Sequence, residues 1–189
     1  MCRPGDRTPI PPFSRHDVSD QQPAIFVRPL GLADLPAALA IQSEAYPAFL
    51  REGEAAFASR LNLTDSYCLA ATREGELIAY LIAHGWPGQS PPLVDAVLVA
   101  EAASEVLFIH DLAVSSAGRG SGIGRKLVDR ACELAAGKGL QRAELIAVEG
   151  AASFWRTLGF REAAASAYLA QKVAAYGPDA RWMSRDISR

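Results

Sequence analysis

The run from His110 to Leu127, HDLAVSSAGRGSGIGRKL, gathers residues whose types and spacing suit two kinds of chemistry. Gly118, Gly120, Gly122 and Gly124 alternate between a strand-like stretch and a helix-like one. One glycine suffices for a turn, so four imply backbone laid bare to a ligand, and the ligand type such backbone suits is phosphate. A Walker A loop requires Gly-Lys followed by Ser or Thr, whereas Gly124 is followed by Arg125, Lys126 and Leu127. A dinucleotide fingerprint requires a glycine three on from a G-x-G pair and an acid after a second strand, and Glu144 falls inside a strand-like run. What fits is a pyrophosphate held by consecutive backbone N–H groups at a helix N-terminus, with Arg119 and Arg125 adding positive charge. At the head of the same run stands His110, an imidazole whose ordinary pKa of about 6.5 suits proton transfer at neutral pH.

These groups need a frame. Val106 to Val114 reads as a strand, and alternation puts Phe108, His110, Leu112 and Val114 on one face and Ile109, Asp111 and Ala113 on the other. His110 and Asp111 then share a site only if a bulge intervenes; otherwise Asp111 ties down a neighbouring loop. Ile123, Leu127, Ala131, Leu134 and Ala135 recur at helical spacing from Gly122 until Gly137, and Ala143 to Val148 forms the next strand. Upstream, Ile25 to Arg28 is a short strand, Leu32 to Ala45 a helix capped by Asp34, and Glu54 to Leu63 a second helix. Tyr67–Arg73 and Leu77–Ala83 flank Glu74-Gly75-Glu76 as a hairpin, and the breaker-rich stretch from His84 to Pro92 reads as a loop. Downstream come helices at Ala151–Leu158 and Tyr168–Ala175 and a closing strand at Arg181–Ile187. The order β-α-α-β-β-β-α-β-α-β-(α)-β predicts an α/β or α+β sheet with helices on both faces.

The chain has 189 residues, of which 50% are hydrophobic, enough for one sizeable core. Residues 1–23, rich in Pro, Ser, Asp and Gln, are expected to form a disordered tail ahead of a single domain at 24–189. Nineteen Lys and Arg against 21 Asp and Glu give no basic field for nucleic acid or acidic membranes. Cys2, Cys68 and Cys132 lack CxxC spacing, which points to reduced thiols and no metal site. Neither a signal peptide nor a membrane span is written in the chain, so a cytoplasmic monomer or homodimer is expected.

Two ordered motifs carry a resemblance. Arg119-Gly-Ser-Gly-Ile-Gly124 matches R-x-x-G-x-G/A, the acetyl-CoA pyrophosphate loop of the GNAT superfamily of N-acetyltransferases. Ala151-Ala-Ser-Phe-Trp-Arg-Thr-Leu-Gly-Phe160 is similar to that superfamily's A-x-x-F-Y-x-x-x-G-F segment, and the likeness in element order spans residues 25–187. Within the superfamily, His110-Asp-Leu-Ala-Val114 looks most like the fourth strand of arylalkylamine (serotonin-type) members.

The resemblance implies a mixed, mostly antiparallel sheet of six to seven strands, splayed at the fourth and fifth, and acetyl-CoA as co-substrate. It implies that Leu112, Ala113 and Val114 hold the thioester, and that Arg119, Gly120, Ser121, Gly122, Ile123, Gly124 and Arg125 hold the pyrophosphate. Ser153, Trp155 and Arg156 would face the rest of the cofactor.

The implied reaction is direct attack by a primary amine of a small molecule, an arylalkylamine, on the acetyl thioester. The alternatives are acetylation of a protein N-terminus or lysine, and a non-catalytic acyl-CoA-binding module. An alkyl amine is about one part in a thousand neutral at pH 7, so a base is needed. His110 is the expected base with Asp111 beside it, while Glu44, Glu52 and Glu54 are alternatives that read first as solvated carboxylates. Tyr46, His84 and Trp86 are expected at the amine entrance, within a wider aromatic set of Phe49, Phe57, Phe108 and Trp155. Trp155 stands where many members carry a tyrosine acid; an indole is no practical acid, so either the thiolate leaves without one or Tyr168 or Tyr176 substitutes.

Overall fold

The computed structural model describes residues 23–98 and 103–188. Apart from Pro23, the expected N-terminal tail lies outside the described residues, as does Cys2. The described chain runs β1 (Ile25–Pro29), α1 (Leu35–Ala45), α2 (Glu54–Leu61), β2 (Leu69–Arg73), β3 (Glu76–Trp86), β4 (Val106–Val114), α3 (Ile123–Gly137), β5 (Arg142–Ala147), α4 (Ala152–Thr157), β6 (Arg161–Glu162), α5 (Ala167–Ala174) and β7 (Arg181–Asp186). The seven strands form one sheet in the order β1-β2-β3-β4-β5-β7-β6. Every pairing is antiparallel except β4 with β5. The expected mixed sheet with helices on both faces is the observed fold.

Two clusters of apolar side chains fix the layers. Ile123, Leu127, Val128, Ala131 and Ala135 of α3 bury their stripe against Leu81, Leu107 and Leu145 on one face. On the other face Leu35, Ala38 and Ile41 of α1 and Phe57 of α2 cover Tyr80, Ile82 and Ala113. Further along the same sheet, Leu169 and Val173 of α5 pack with Phe108 and Trp182. Cys68 and Cys132 are buried free thiols.

Local chemistry departs from the sequence expectations at a few points. The Asp34 carboxylate does not cap α1; it pairs with Arg28 at 2.7 Å and accepts the Gly31 N–H at 2.9 Å, behind a 3-10 turn at Leu32–Asp34. Gly137 is the last residue of α3, and the stop falls at Gly139, whose φ of +95° lets Leu140 N–H reach back to Ala135 O. β3 continues through His84 to Trp86, so the expected loop begins three residues later. Tertiary pairing with β4 overrides the weak strand propensity of Gly85.

Two irregularities in the sheet shape the cleft beside β4. β4 and β5 pair only from Leu107/Ala143 to Ile109/Leu145, after which the strands part and leave a cleft. Against β3, the register steps from Ile82↔Asp111 to Ala83↔Ile109, so His110 is an extra, unpaired residue: a β-bulge in β4.

Candidate active site

The bulge reverses the alternation of β4 at one point. Leu107, Ile109, Leu112 and Val114 face the α3 layer, while Phe108, His110, Asp111 and Ala113 face α1, α2 and α5. His110 and Asp111, which strict alternation sends to opposite faces, thus share one. Leu112 and Val114 correspondingly lie on the face opposite His110.

A cavity of about 290 Å³ occupies the cleft, with His110 and Asp111 in its wall together with Tyr46, Glu52, Val94 and Tyr176. Glu52 is its centre of charge. Its Oε1 accepts from His110 Nε2 at 3.0 Å, from Arg60 Nη2 at 2.8 Å and from the Asp95 N–H at 2.7 Å. Arg60 is fully buried and also donates to Ala56 O, one turn up α2. Gln42 of α1 fixes the backbone around Glu52, its amide donating to Glu52 O and its carbonyl accepting the Glu52 N–H. Burial alone would push the Glu52 carboxyl up; His110, Arg60 and the Asp95 N–H together hold it below the usual carboxylate range.

Asp111 is raised instead, chiefly by burial. Its Oδ2 accepts the Tyr80 hydroxyl at 2.6 Å, and its Oδ1 has no partner among the described residues. Tyr46 lines the cavity and donates its hydroxyl to Leu112 O at 3.0 Å. His84 is fully buried, does not line the cavity and lies edge-on to Trp86. Burial, and then the neighbouring His110, push its imidazole down to about 3. The expectation of His84 and Trp86 at the entrance is therefore corrected: extension of β3 turns His84 inward, and Trp86 donates its indole N–H to Ser90 O. Of the wider aromatic set, Tyr46, Phe108 and Trp155 line the cavity, Phe57 is core and Phe49 is exposed.

A strap closes one side. Lys172 and Tyr176 on and beside α5 donate to the carbonyls of Pro91 and Pro92 at 2.7 and 3.1 Å. Asp95, besides giving its N–H to Glu52, accepts the Gly53 N–H at 2.7 Å. Val94 between these anchors reaches the cavity. Tyr168, the other candidate tyrosine, is exposed.

At the far end lies the glycine loop. Gly120 and Gly122 have φ of +76° and +73°, and a Cβ on either would meet nothing within 4 Å, so the space over this backbone is open. No side chain caps the first turn of α3, which leaves its N–H groups available to an anion. Gly118 is there for packing, since its Cβ would sit 2.8 Å from Ile78 O. Arg119 is exposed at the loop, whereas Arg125 is drawn to Thr157 O at 2.9 Å. Ser121 donates to Gly118 O, and Ser153 lies near Gly150 O at the start of α4. Trp155 lies buried in the cavity wall, and Arg156 pairs on the surface with Glu162.

Sequence reasoning passed over Arg60 and Asp95 and read Glu52 as solvated. One signal was present: Arg60 stands eight residues after Glu52, on the first helix that Glu52 precedes. Among the described residues, no helix is long and apolar enough to cross a membrane.

The model of the acetyltransferase (GNAT) family matches residues 35–160. No curated protein matches at a significant level. Among solved structures, Ard1 from Thermoplasma volcanium superposes with a TM-score of 0.68 at 16% identity, covering 88% of this chain and 99% of its own. The ribosomal-protein-S18-alanine N-acetyltransferase from Escherichia coli gives 0.63 at 20% identity, with 88% and 96% covered. The PaiA N-acetyltransferase from Thermoplasma acidophilum, solved with coenzyme A, gives 0.60 at 15%, with 86% and 99% covered. Identities of this size establish a shared fold.

Proposed function

The chain belongs to the GNAT acetyltransferase family, acetyl-CoA-dependent N-acetyltransferases, and we propose that it transfers acetyl to the primary amine of a small molecule, an arylalkylamine, with His110 as general base. The observation that carries this reading is the buried Glu52–His110 pair, raised on a bulge at the mouth of the β4/β5 cleft.

Acetyl-CoA, when bound, supplies a thioester whose carbonyl carbon is open to attack by an amine. The residues present suit it. The bare backbone of Gly120, Ser121, Gly122, Ile123 and Gly124, with Arg119 beside it, would hold the pyrophosphate. Leu112, Ala113 and Val114, on the stretch of β4 that β5 has left, would receive the thioester, with Trp155 across the cleft. Ser153 and Arg156 are exposed on α4 and would meet only the outer part of the cofactor, and Arg125 serves by tying α3 to Thr157 at the end of α4.

His110 is prepared as a base by its partner. With its Nε2–H donated to Glu52, the lone pair falls on Nδ1, which has no partner among the described residues. That nitrogen takes a proton from the acceptor's ammonium. Arg60 and the Asp95 N–H keep Glu52 ionised, and so keep the tautomer. No acid is required at the other end: Trp155 cannot serve, and burial first of all pushes the Tyr176 hydroxyl up to about 12. A thiol of ordinary pKa near 8.5 is a tolerable leaving group as its anion, at about neutral pH.

The strap supports a small acceptor. Lys172, Tyr176 and Asp95 pin residues 91–95 across the side of the cavity, where a peptide would need an open groove. The test is a thiol-release assay over small amines and peptide amines, with His110→Ala as control. We expect turnover on small amines, and in the variant a fall in kcat/KM of about 1,000-fold with acetyl-CoA affinity held within about twofold. Turnover confined to peptides, or CoA binding with no turnover on any amine, sinks this reading.

A further inference from the structure

The charge layout of the acceptor chamber says more about the substrate than that it is an amine. We propose that the acceptor's ammonium is its only charge: the chamber takes amines that carry no carboxylate, and Asp111 enforces this. The proposal rests on the small-molecule reading above and narrows it.

Three buried atoms of cavity-lining residues have no partner among the described residues: Glu52 Oε2, His110 Nδ1 and Asp111 Oδ1. With Nε2–H given to Glu52, Glu52 Oε2 and His110 Nδ1 are acceptors; burial raises the Asp111 carboxyl, and a cation beside Oδ1 holds it ionised, so a protonated primary amine with its three N–H donors makes Oδ1 the third acceptor. Among the described residues nothing comparable awaits an anion, because no lysine or arginine of theirs lines the cavity. The cations close by are engaged elsewhere. Arg51 donates to Tyr46 O and Ser43 O at 2.8 and 2.9 Å, drawn to the C-terminal end of α1. Arg60 is held by Glu52 and Ala56, and Lys172 by Pro91 O. Arg60 Nε has no partner among the described residues, but the side chain is fully buried and takes no part in the lining.

A substrate carboxylate would therefore lose its water with no cation to replace it, and would do so beside Glu52 and Asp111. Buried charge without a partner is strongly disfavoured, and like charges close by add to the cost. The uncharged remainder of the substrate meets Leu50, Val94, Phe108 and Ile146, which are apolar and ask for no polar group.

The matched probes are 2-phenylethylamine, L-phenylalaninamide and L-phenylalanine, which share a body; the last two share bulk at the same carbon and differ in charge. We expect kcat/KM for the amide to stay within about tenfold of the plain amine, and for the acid to fall about 100-fold or more below the amide. In Asp111→Asn the amide-to-acid ratio should shrink by about tenfold. Because that ratio is taken within one protein preparation, partial unfolding does not change it. Equal turnover of acid and amide overturns the proposal, as does a ratio unmoved in Asp111→Asn. Turnover of 2-phenylethylamine together with either of those results leaves the small-amine reading standing, whereas turnover of peptides alone overturns both.

Discussion

The two ends of the β4/β5 cleft are built from different materials. At the proposed cofactor end the candidate groups are backbone, drawn from one contiguous run between Leu112 and Arg125, and local conformation does most of the positioning. At the acceptor end they are side chains from α1 and Tyr46 after it, the approach to α2, α2 itself, the 91–95 strap, β4 and Tyr176 two residues past α5. A backbone site is preserved by whatever preserves φ and ψ. A side-chain site fails when any one distant partner is lost, and it carries charges that must stay balanced. Mutations at the two ends should therefore fail differently: one in ligand affinity, the other in stability and chemistry together.

The largest expected effect comes from Glu52→Gln. The amide retains an acceptor oxygen for its neighbours but leaves the Arg60 guanidinium buried without a counter-charge. Breaking such a pair costs about 3–5 kcal/mol, and Arg60→Met added to it should recover much of that loss. Urea denaturation of the single and double variants measures both, and acetyl-CoA affinity of the folded fraction should stay within about twofold. A Glu52→Gln protein as stable as the parent would show that the acceptor end is not organised around this charge.

The same contrast explains what the sequence disclosed. The open backbone of the glycine loop was legible because its conformation and its signal lie in the same residues in the same order. β4 was legible to the residue, as were the start of α2 and the Glu74-Gly75 turn, where both residues take positive φ. The face shared by His110 and Asp111 was not, because a bulge is a mismatch in count between two strands, and neither strand alone records it. Glu52 failed for a related reason: in sequence it is a polar residue in a connection, and only Gln42, Arg60 and Asp95 make it a buried one. His84 was misplaced because Gly85 and Pro87 advertise a loop while pairing with Phe108 keeps His84 in the sheet.

A second test uses pH. His84 titrates near 3 in the folded chain, held there by burial and then by His110, against an ordinary value of 6.5. Between those values the unfolded chain binds a proton that the folded one refuses. Stability is therefore fully present above about pH 6.5 and is lost as pH falls toward 3, at about 1.4 kcal/mol per pH unit. Substituting His84→Phe, in a cluster that already holds Trp86 and Phe108, removes this one-proton linkage. Unfolding free energies of parent and variant between pH 4.5 and 7 should diverge in slope by about one proton. Parallel slopes would mean that His84 is not kept neutral by the fold.

The smallest effect is expected at the cofactor end, where it separates two glycines. Gly122 is the residue before α3, at φ +73° and ψ 9°, and a Cβ there meets open space. Gly122→Val consequently faces no clash; its cost is conformational, about 1–2 kcal/mol for a side chain in the left-handed region. The loop can relieve that strain by leaving the conformation, but doing so turns its N–H groups away from the pyrophosphate position. Acetyl-CoA should bind about tenfold or more weakly, while kcat at saturating acetyl-CoA changes little. Gly118 sits two residues upstream of the open backbone, with negative φ, and a Cβ there would press on Ile78 O at 2.8 Å and Val114 Cγ1 at 2.9 Å. Gly118→Ala should accordingly lower stability by about 1–3 kcal/mol, as overpacking does, and leave acetyl-CoA affinity of the folded protein nearly untouched. Isothermal titration with acetyl-CoA and thermal unfolding of both variants separate the two cases. If Gly122→Val loses stability rather than affinity, the loop is a structural turn and the backbone reading of the cofactor end fails.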